Sequence, residues 1–545
     1  MSSIARPVGR TVHAVATDTW PRVTIFMTHT LSALLALCFV APAPASAQDA
    51  KQPVEFRVSL DPALGASPVS GRLLVYLTVN EKPLEVINPG FGPEMKNVWV
   101  VAREVPSLAP GAEVVLDVSD ATYPQPLTRA PVADYQVMAL LDVDHNAAYT
   151  PTSPADISSA VIAVARLNPP QSAPIELRLS KRVAPQPLEL PGGVERLEFA
   201  SPALHAFWGR PTTMRGLVVL PPEYANTKQR YPTVYWTHGF SGTLPYLAEV
   251  AQSLVKETAA GGLPPMIWVL LDQSCAGGTH EFVNSVNNGP WGHALTRELI
   301  PHLERTYRMD AKPSGRFLTG HSSGGWAALW LQVTYPRIFG GVWATSPDSV
   351  DFRHFTNIDL TAGTNVYVRS DGTPTPLVRM QGRDVASFED FARQEHVLGE
   401  YGGQMSSFEW VFSPRGPDGR PMRLFDRDTG VVDREVATYW LERYDISRHL
   451  VRNAASLVSS LRRKIHIVVG TADTFYLDES VRLLEQNIAP LGYDAKITYL
   501  ESRDHFDLFN GGLGPRMGAQ MYAVARPRHK WTTTALLDPA TELVK

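Results

Sequence analysis

Cysteine is nearly absent from this chain of 545 residues, which contains only Cys38 and Cys275. Cys38 lies within an apolar run over residues 31–40, and Ala45-Ser46-Ala47 follows that run. An apolar run followed by an A-x-A site is typical of a secretory signal, so residues 1–47 are predicted to be a signal peptide and the mature protein to be secreted or periplasmic. Cys275 is then the one cysteine left in the mature chain, which excludes an intrachain disulfide.

Long apolar runs and an excess of basic residues are missing as well. The run over residues 31–40 is too short to span a bilayer as a helix, so no membrane association is expected after the signal is cleaved. The chain has 50 Lys and Arg against 54 Asp and Glu, and 44% of its residues are hydrophobic. This balance is typical of globular proteins and offers no surplus of positive charge for nucleic acid.

Short strand-like segments separated by proline and glycine occupy the region up to about residue 195. Residues 72–79 and 135–141 are two of these segments, and residues 183–193 form a linker rich in proline and glycine. The pattern predicts an N-terminal antiparallel β-sandwich domain over residues 48–195, including the linker. Because a fold does not specify an activity, packing or substrate presentation is the favoured interpretation of this domain.

One loop of this region, Asp142-Val143-Asp144-His145-Asn146, begins with the oxygen-ligand spacing of a calcium loop. It lacks the glycine at the sixth position and the glutamate at the twelfth that such loops carry. A polar turn is therefore the favoured interpretation and calcium is the alternative. No metal and no cofactor are predicted for the protein.

Strand-like and helix-like segments alternate from about residue 196 to residue 545. This alternation predicts an α/β domain with a mostly parallel sheet covered by helices on both faces. Within the domain, residues 351–460 are far more than one crossover connection requires. Long inserts are often functional, so a cap-like insertion at the substrate cleft is predicted, with a rigid packing elaboration as the alternative.

The segment Gly320-His321-Ser322-Ser323-Gly324-Gly325 lies between an apolar strand, residues 316–319, and a helix-like run, residues 326–331. Strand, G-x-S-x-G and helix in this order form the pattern of a nucleophile elbow. A nucleophilic serine must project from a sharp turn, and small flanking residues allow the backbone to cross itself closely there. The pattern therefore predicts Ser322 as a nucleophile.

Asp473 and His505 follow the last two predicted strands, where an open α/β sheet carries its functional residues. Ser322, Asp473 and His505 occur in the serine, acid, histidine order of α/β-hydrolases. A serine hydroxyl needs an adjacent base, so His505 is predicted to take its proton. Asp473 is predicted to orient the imidazole of His505 and to stabilise its cation.

Two backbone amides are expected to bind the oxyanion that such chemistry generates. The amide of Ser323, directly after the nucleophile, is one predicted donor, and the amide of Phe240, after an early strand, is the other. Ser241 is the alternative to Phe240. Asp478 and Glu479 are the alternatives to Asp473 as the acid.

The sequence resembles the esterase D-type esterases at several motifs. These are His238-Gly239-Phe240, Asn284-Ser285, Gly289-Pro290-Trp291-Gly292 and the elbow segment 320–325. The resemblance extends over about residues 231–348, and the group includes feruloyl and acetyl-xylan esterases, S-formylglutathione hydrolase, enterochelin esterases and mycolyltransferases. It implies an α/β-hydrolase fold and serine acyl chemistry without a cofactor, and it leaves the substrate open.

The residues and the resemblance together predict a secreted or periplasmic serine hydrolase that cleaves carboxylic esters through an acyl-enzyme on Ser322. The expected substrate is a small-molecule or carbohydrate-linked ester. A peptidase or an acyltransferase with the same three residues remains an alternative. A binding protein built on a hydrolase scaffold is a third, and the oligomeric state stays open.

Overall fold

The computed structural model of the chain describes residues 54–80, 82–87, 93–167, 174–185, 187–529 and 531. The predicted signal peptide, residues 1–47, lies outside the described residues. Residues from Lys51 onward belong to one compact unit of contacts. The domain boundary near residue 195 therefore stays a prediction from the sequence.

Ten strands of the N-terminal region form two sheets. They are β1 (Phe56–Leu60), β2 (Val69–Thr78), β3 (Val98–Leu108), β4 (Glu113–Leu116), β5 (Ala121–Tyr123), β6 (Ala133–Asp142), β7 (Ile157–Ser158), β8 (Ile162–Leu167), β9 (Ile175–Leu179) and β10 (Lys181–Arg182). The first sheet has the order β4-β1-β9, and the second has the order β10-β7-β6-β2-β3-β5 with β8 also paired to β6. All described pairings are antiparallel except that of β1 with β9, which is parallel and departs from the antiparallel expectation.

Strand β2 shows how the second sheet is buried on both faces. Leu73, Val75 and Leu77 belong to one hydrophobic cluster together with residues of β1 and β9. Leu74 and Tyr76, which alternate with them, belong to the cluster that also holds the core of the α/β region. Successive side chains of a strand point to opposite faces, so this sheet lies between the first sheet and the rest of the molecule.

An eight-stranded sheet follows, with the order β11-β12-β14-β13-β19-β20-β23-β24. Its strands are β11 (Val194–Ala200), β12 (Thr213–Val219), β13 (Thr233–Thr237), β14 (Ile267–Leu271), β19 (Arg316–His321), β20 (Gly341–Thr345), β23 (Ile465–Gly470) and β24 (Lys496–Leu500). The pairings of β12 with β11 and β14 are antiparallel, and the remaining five are parallel. Strands β14 and β20 are buried along their whole length, as expected for a sheet covered on both faces. The predicted α/β class is confirmed.

Twelve α-helices are present in the described part of the chain. They are α1 (Pro202–Trp208), α2 (Leu244–Ala259), α3 (Trp291–His293), α4 (Ile300–Thr306), α5 (Ser323–Thr334), α6 (Phe388–Leu398), α7 (Gln404–Phe412), α8 (Arg434–Arg443), α9 (Ile446–Arg452), α10 (Ala454–Leu461), α11 (Leu477–Ile488) and α12 (Leu513–Ala525). Three small two-stranded sheets accompany them: β15 (Ser274–Cys275) with β16 (Gly278–Thr279), β17 (Asn284–Ser285) with β18 (Gly289–Pro290), and β21 (Pro376–Met380) with β22 (Arg383–Ser387). Within the described ranges, no helix combines the length and the apolar character that crossing a bilayer requires.

The insertion predicted over residues 351–460 contains β21, β22 and helices α6 to α9, with most of α10. Helix α6 begins at a capping box in which the Ser387 hydroxyl accepts from the Asp390 amide and the Asp390 carboxylate accepts from the Ser387 amide. The same carboxylate lies 2.7 Å from Lys96 of the N-terminal region. At the other end of α6, the Arg72 guanidinium donates to the carbonyl of Val397 at 2.8 Å. The insertion is thus tied to the N-terminal region by polar contacts at both ends of α6.

Candidate active site

Ser322 lies at a sharp turn between β19 and α5. Its backbone angles, φ 59° and ψ −128°, are ones that residues with a side chain rarely adopt. The chain passes so close to its neighbours that a Cβ on Gly320 would meet the carbonyl of Gly324, and a Cβ on Gly324 would meet the carbonyl of Thr237. Glycine is therefore required at both positions, and the turn exposes Ser322 to a cavity.

His505 and Asp473 are in direct contact beside this turn. The Nδ1 atom of His505 lies 2.9 Å from Oδ2 of Asp473, and their relative exposures are only 4% and 0%. Burial acts to raise the pKa of Asp473, but the charge and hydrogen bond of His505 and the amide of Phe475 hold it below its ordinary value. The other carboxylate oxygen accepts from the amides of Phe475 and Leu477. The acid is thus ionised and oriented towards the imidazole.

Asp478, a rival for the acid position, makes different contacts. It lies on α11 and forms an ion pair with Arg379 at 2.8 Å and a longer one with Arg482 at 3.7 Å. Within the described residues no hydrogen bond joins it to His505, and none joins Glu479 to His505. Of the three candidates for the acid, Asp473 is thus the one that the structure places in contact with His505.

The ring of His505 is surrounded by other rings. His321 lies 4.4 Å from it between ring centroids, and Phe475 meets it edge-on at 4.8 Å. Burial and the neighbouring His505 lower the pKa of His321 to about 3, so His321 is neutral at ordinary pH. Its Nδ1 atom lies 3.1 Å from the Thr345 hydroxyl. The packing fixes the orientation of the His505 ring.

The hydroxyl of Ser322 donates to Oδ1 of Asp348 at 3.4 Å, and among the described residues no hydrogen bond joins it to His505. The second oxygen of Asp348 accepts from the Ser323 hydroxyl at 2.6 Å and from Gln404 at 3.5 Å. Sequence reasoning missed Asp348. Asp348 follows the parallel strand β20 and Ser346-Pro347. The same criterion, a position just after the carboxyl end of a parallel strand, identified Asp473 and could have identified Asp348.

Asp348→Asn is expected to raise the melting temperature at pH 8 by roughly 2–5 °C and to leave it unchanged at pH 4. Burial raises the pKa of Asp348 from 3.8 to about 6, so the unfolded chain loses this proton before the folded chain does. Ionisation then reduces the free energy of unfolding as the pH rises through this interval, a penalty that asparagine does not carry. Thermal melts of both chains at the two pH values measure it, with the exposed Glu501→Gln as the control. Equal shifts at both pH values would contradict the ionisation argument.

The amides predicted to bind an oxyanion are those of Phe240 or Ser241 and of Ser323. Within the described part of the chain, the amides of Phe240, Ser241 and Ser323 donate no hydrogen bond. Phe240 and Ser241 line the cavity, and Ser323 begins α5, whose positive end is directed to the same place. Free amides beside a nucleophile are available to a developing negative charge. The structure leaves both Phe240 and its alternative Ser241 available.

The cavity in front of Ser322 has a volume of about 560 Å³. Its walls are largely apolar and include the aromatic residues Trp236, Tyr246, Phe355, Phe391, Phe408 and Phe475. Asp348 and Glu395 contribute carboxyl groups, and among the described lining residues there is no lysine or arginine. Glu395 accepts from the amides of Met405 and Ser406 at the start of α7. The cavity suits a neutral, largely apolar group.

The acidic loop of the N-terminal region brings Asp142, Asp144 and Asp156 together, with ligand-type oxygens within 4.8 Å of one another. Asp142 accepts from the amide of Ala147 at 2.9 Å, and Asp156 accepts from the amide of Val143 at 3.1 Å. These bonds help to hold the loop in its conformation. Calcium stays an alternative, as it was from the sequence.

Residues 210–512 match the model of the family described as "Putative esterase". Among curated proteins, Esterase Rv1288 of Mycobacterium tuberculosis is 31% identical over 119 residues, which are 22% of this chain and 25% of that protein. The iron(III) enterobactin esterase of Dickeya dadantii is 34% identical over 90 residues, which are 16% and 20% of the two chains. This chain thus spans about a quarter of the length of the first of these relatives.

A solved structure of an S-formylglutathione hydrolase from Agrobacterium tumefaciens is also similar. It has 14% sequence identity and a TM-score of 0.34, and the alignment covers 63% of this chain and 98% of that one.

Proposed function

Since this chain belongs to the esterase family whose model it matches over residues 210–512, we propose that it is a serine hydrolase that cleaves carboxylic esters. The observation that carries the proposal is the hydrogen-bonded pair of His505 and Asp473 beside the strained turn that presents Ser322 to the cavity. A serine, its base and the residue that orients the base are the three groups that a serine hydrolase of this type uses for nucleophilic acyl transfer.

In the first half of the reaction, the Ser322 oxygen attacks the ester carbonyl and His505 takes the hydroxyl proton. The serine side chain must first turn from Asp348 to His505, since its hydroxyl donates to the carboxyl group in this structure. Contacts of this kind often tighten only when the substrate is bound. His505 then gives the proton to the departing alcohol, and an acyl-enzyme remains on Ser322.

In the second half, His505 removes a proton from water and the resulting hydroxide attacks the acyl-enzyme. The bond between the acyl group and the Ser322 oxygen then breaks, the carboxylic acid leaves, and His505 returns the proton to the Ser322 oxygen. In both halves the carbonyl oxygen becomes negative. We propose the amides of Phe240 and Ser323 as its donors, with Ser241 as the alternative to Phe240.

The cavity defines the class of ester proposed. Its apolar walls suit an apolar acyl or alcohol group. Its carboxyl groups disfavour an anionic substrate, because the described lining contains no lysine or arginine that would balance their negative charge. A neutral small-molecule or carbohydrate-linked ester fits these walls.

We also propose the finer organisation of the chain. Residues 48–195 form a β-sandwich domain, and residues 351–460 act as a cap, because Phe391, Glu395 and Phe408 of this segment line the cavity with Ser322. Residues 1–47 are a signal peptide, and the mature protein is secreted or periplasmic.

A panel of three acyl compounds tests the function and its substrate class. We expect rapid hydrolysis of p-nitrophenyl valerate, a value of kcat/KM at least about tenfold lower for the anionic p-nitrophenyl hemisuccinate, and no measurable cleavage of the matching valeryl p-nitroanilide. Release of the nitro chromophore measures all three.

If the folded chain hydrolyses no ester, the proposed function is wrong. Cleavage of the anilide as fast as the ester would favour the peptidase alternative, and formation of a transfer product with an added alcohol would favour the acyltransferase. Equal rates for the neutral and the anionic ester would contradict only the substrate class.

A further inference from the structure

Tyr149 lies outside the residues that match the esterase family, yet it lines the cavity with Ser322. It belongs to the loop between β6 and β7 of the N-terminal region. The loop is held at its base, where the Tyr149 amide donates to the Asn146 carbonyl at 2.7 Å and the Asp142 carboxylate accepts from the Asn146 amide at 3.1 Å. An anchored loop can act as a rigid support for whatever its tip contacts.

The tip contacts three consecutive residues of the segment 240–242, which we call the oxyanion loop. The Tyr149 hydroxyl donates to the Gly242 carbonyl at 2.7 Å. In return, the Ser241 hydroxyl donates to the Tyr149 carbonyl at 2.6 Å. The Tyr149 ring also meets the Phe240 ring edge-on, with 5.1 Å between centroids. The oxyanion loop is thus joined to the N-terminal region by two reciprocal hydrogen bonds and a ring contact.

The oxyanion loop needs this support because its backbone is not in a relaxed conformation. Ser241 has φ 64°, in the left-handed region that residues with a side chain avoid. The loop also packs so closely on His238 that a Cβ on Gly242 would collide with the imidazole. The His238 ring is itself fixed by the Gln273 amide, which donates to its Nε2 atom at 2.8 Å. The loop is therefore in contact with both His238 and Tyr149.

We propose that Tyr149 is a positioning residue for the reaction at Ser322: it holds the oxyanion loop so that the Phe240 amide is aimed at the developing oxyanion. Donors that are fixed before the charge appears lose no energy to reorganisation when it forms. The inference rests on the proposed function, since it assumes that an oxyanion forms at Ser322. It also gives the N-terminal region a role in catalysis beyond packing.

The phenol is suited to this role. Burial raises the pKa of Tyr149 well above its ordinary value, with nearby Asp272 adding to the shift, so the hydroxyl keeps its proton and remains a donor across the working pH range. Phenylalanine removes this donor and keeps the ring against Phe240.

The test is Tyr149→Phe in the full chain, with p-nitrophenyl valerate as substrate. We expect kcat to fall about tenfold and KM to change less than about threefold. A misaligned donor stabilises the transition state less and leaves substrate binding intact. Inhibition by a phenylboronic acid, which forms a tetrahedral adduct on a serine, should weaken by about the same factor as kcat.

Tyr135→Phe is the matched control. Its hydroxyl donates to the Pro131 carbonyl at 3.1 Å within the N-terminal region, so it loses the same kind of hydrogen bond without touching the oxyanion loop. Its kcat should equal that of the unmodified chain. Ser241→Ala removes the reciprocal bond, and its effect should not add to that of Tyr149→Phe, since both act through one loop.

Three results would overturn the inference while the unmodified chain still hydrolyses esters. One is an unchanged kcat in Tyr149→Phe, and another is an increase in KM alone, which would assign Tyr149 to substrate binding. The third is an equal loss of kcat in Tyr135→Phe. Should Tyr149→Phe fail to fold, Ser241→Ala decides by the same measurements. If the unmodified chain hydrolyses no ester, the proposed function fails first, so the two failures are distinguishable.

Discussion

Ser322→Ala is expected to reduce kcat for p-nitrophenyl valerate by a factor on the order of 10⁴ or more and to abolish labelling by a fluorophosphonate probe. No acyl-enzyme forms without the hydroxyl, and only the oxyanion donors and substrate binding continue to assist the attack of water. The substitution does not disturb the turn, because the Ser322 amide still donates to the Thr345 carbonyl. Among the described residues, the hydroxyl itself makes one long hydrogen bond, at 3.4 Å to Asp348.

Ser274→Ala is the matched control for this loss. The Ser274 hydroxyl donates to Asp272 at 2.6 Å and does not line the cavity, so its removal should leave kcat and labelling within about threefold of the unmodified chain. Mass spectrometry of the labelled chain should place the probe on Ser322. A Ser322→Ala chain that retains more than about a tenth of the activity, or that still carries the label, would show that another residue is the nucleophile.

Asp473→Asn is expected to lower kcat by a factor on the order of 10³–10⁴ with little change in KM. The amide would present an N–H group to Nδ1 of His505, which favours the wrong tautomer, and it would leave the imidazolium without its partner charge. The folded structure should persist, because the remaining oxygen can still accept from the amides of Phe475 and Leu477. Steady-state kinetics with the same ester measure the effect on kcat and KM, and a thermal melt of each chain measures stability.

Asp478→Asn is the decisive comparison for the acid. Asp478 lies near Asp473 in the sequence and pairs with Arg379 and Arg482, so asparagine there weakens two ion pairs and changes no contact of His505. We expect less than a tenfold change in kcat for this variant, with the remaining effect on stability. If kcat fell more in Asp478→Asn than in Asp473→Asn, Asp478 of α11 would be the acid, and the arrangement proposed for His505 would be wrong.

The elements around the nucleophile could be predicted because their signals are local. A strand, a G-x-S-x-G turn and a helix occupy adjacent residues, and the structure has β19, Ser322 at φ 59° and α5 in this order. Asp473 and His505 could be nominated by a general rule, since the carboxyl ends of parallel strands meet at one edge of the sheet. The parallel pairings of β20, β23 and β24 place these ends side by side.

Reasoning from the sequence predicted less well the contacts between residues that are distant in the sequence. The antiparallel expectation for the N-terminal sheets does not hold for β1 and β9, because the direction in which two remote strands pair depends on the path of the chain between them. Asp348 was missed for a related reason. Only the distance between its carboxyl group and the Ser322 hydroxyl shows that they share one cavity.

The sequence by itself determined the α/β class, the family and the order of the three residues proposed for catalysis, because period, glycine placement and motif spacing are properties of neighbouring residues. Only the tertiary structure decided that Asp473 meets His505, that Asp348 lies beside Ser322 and that Tyr149 contacts the oxyanion loop. Each of these contacts joins residues that are between 26 and 93 positions apart in the sequence. Hydrogen bonds act over about 3 Å, and packing alone brings such residues within that range.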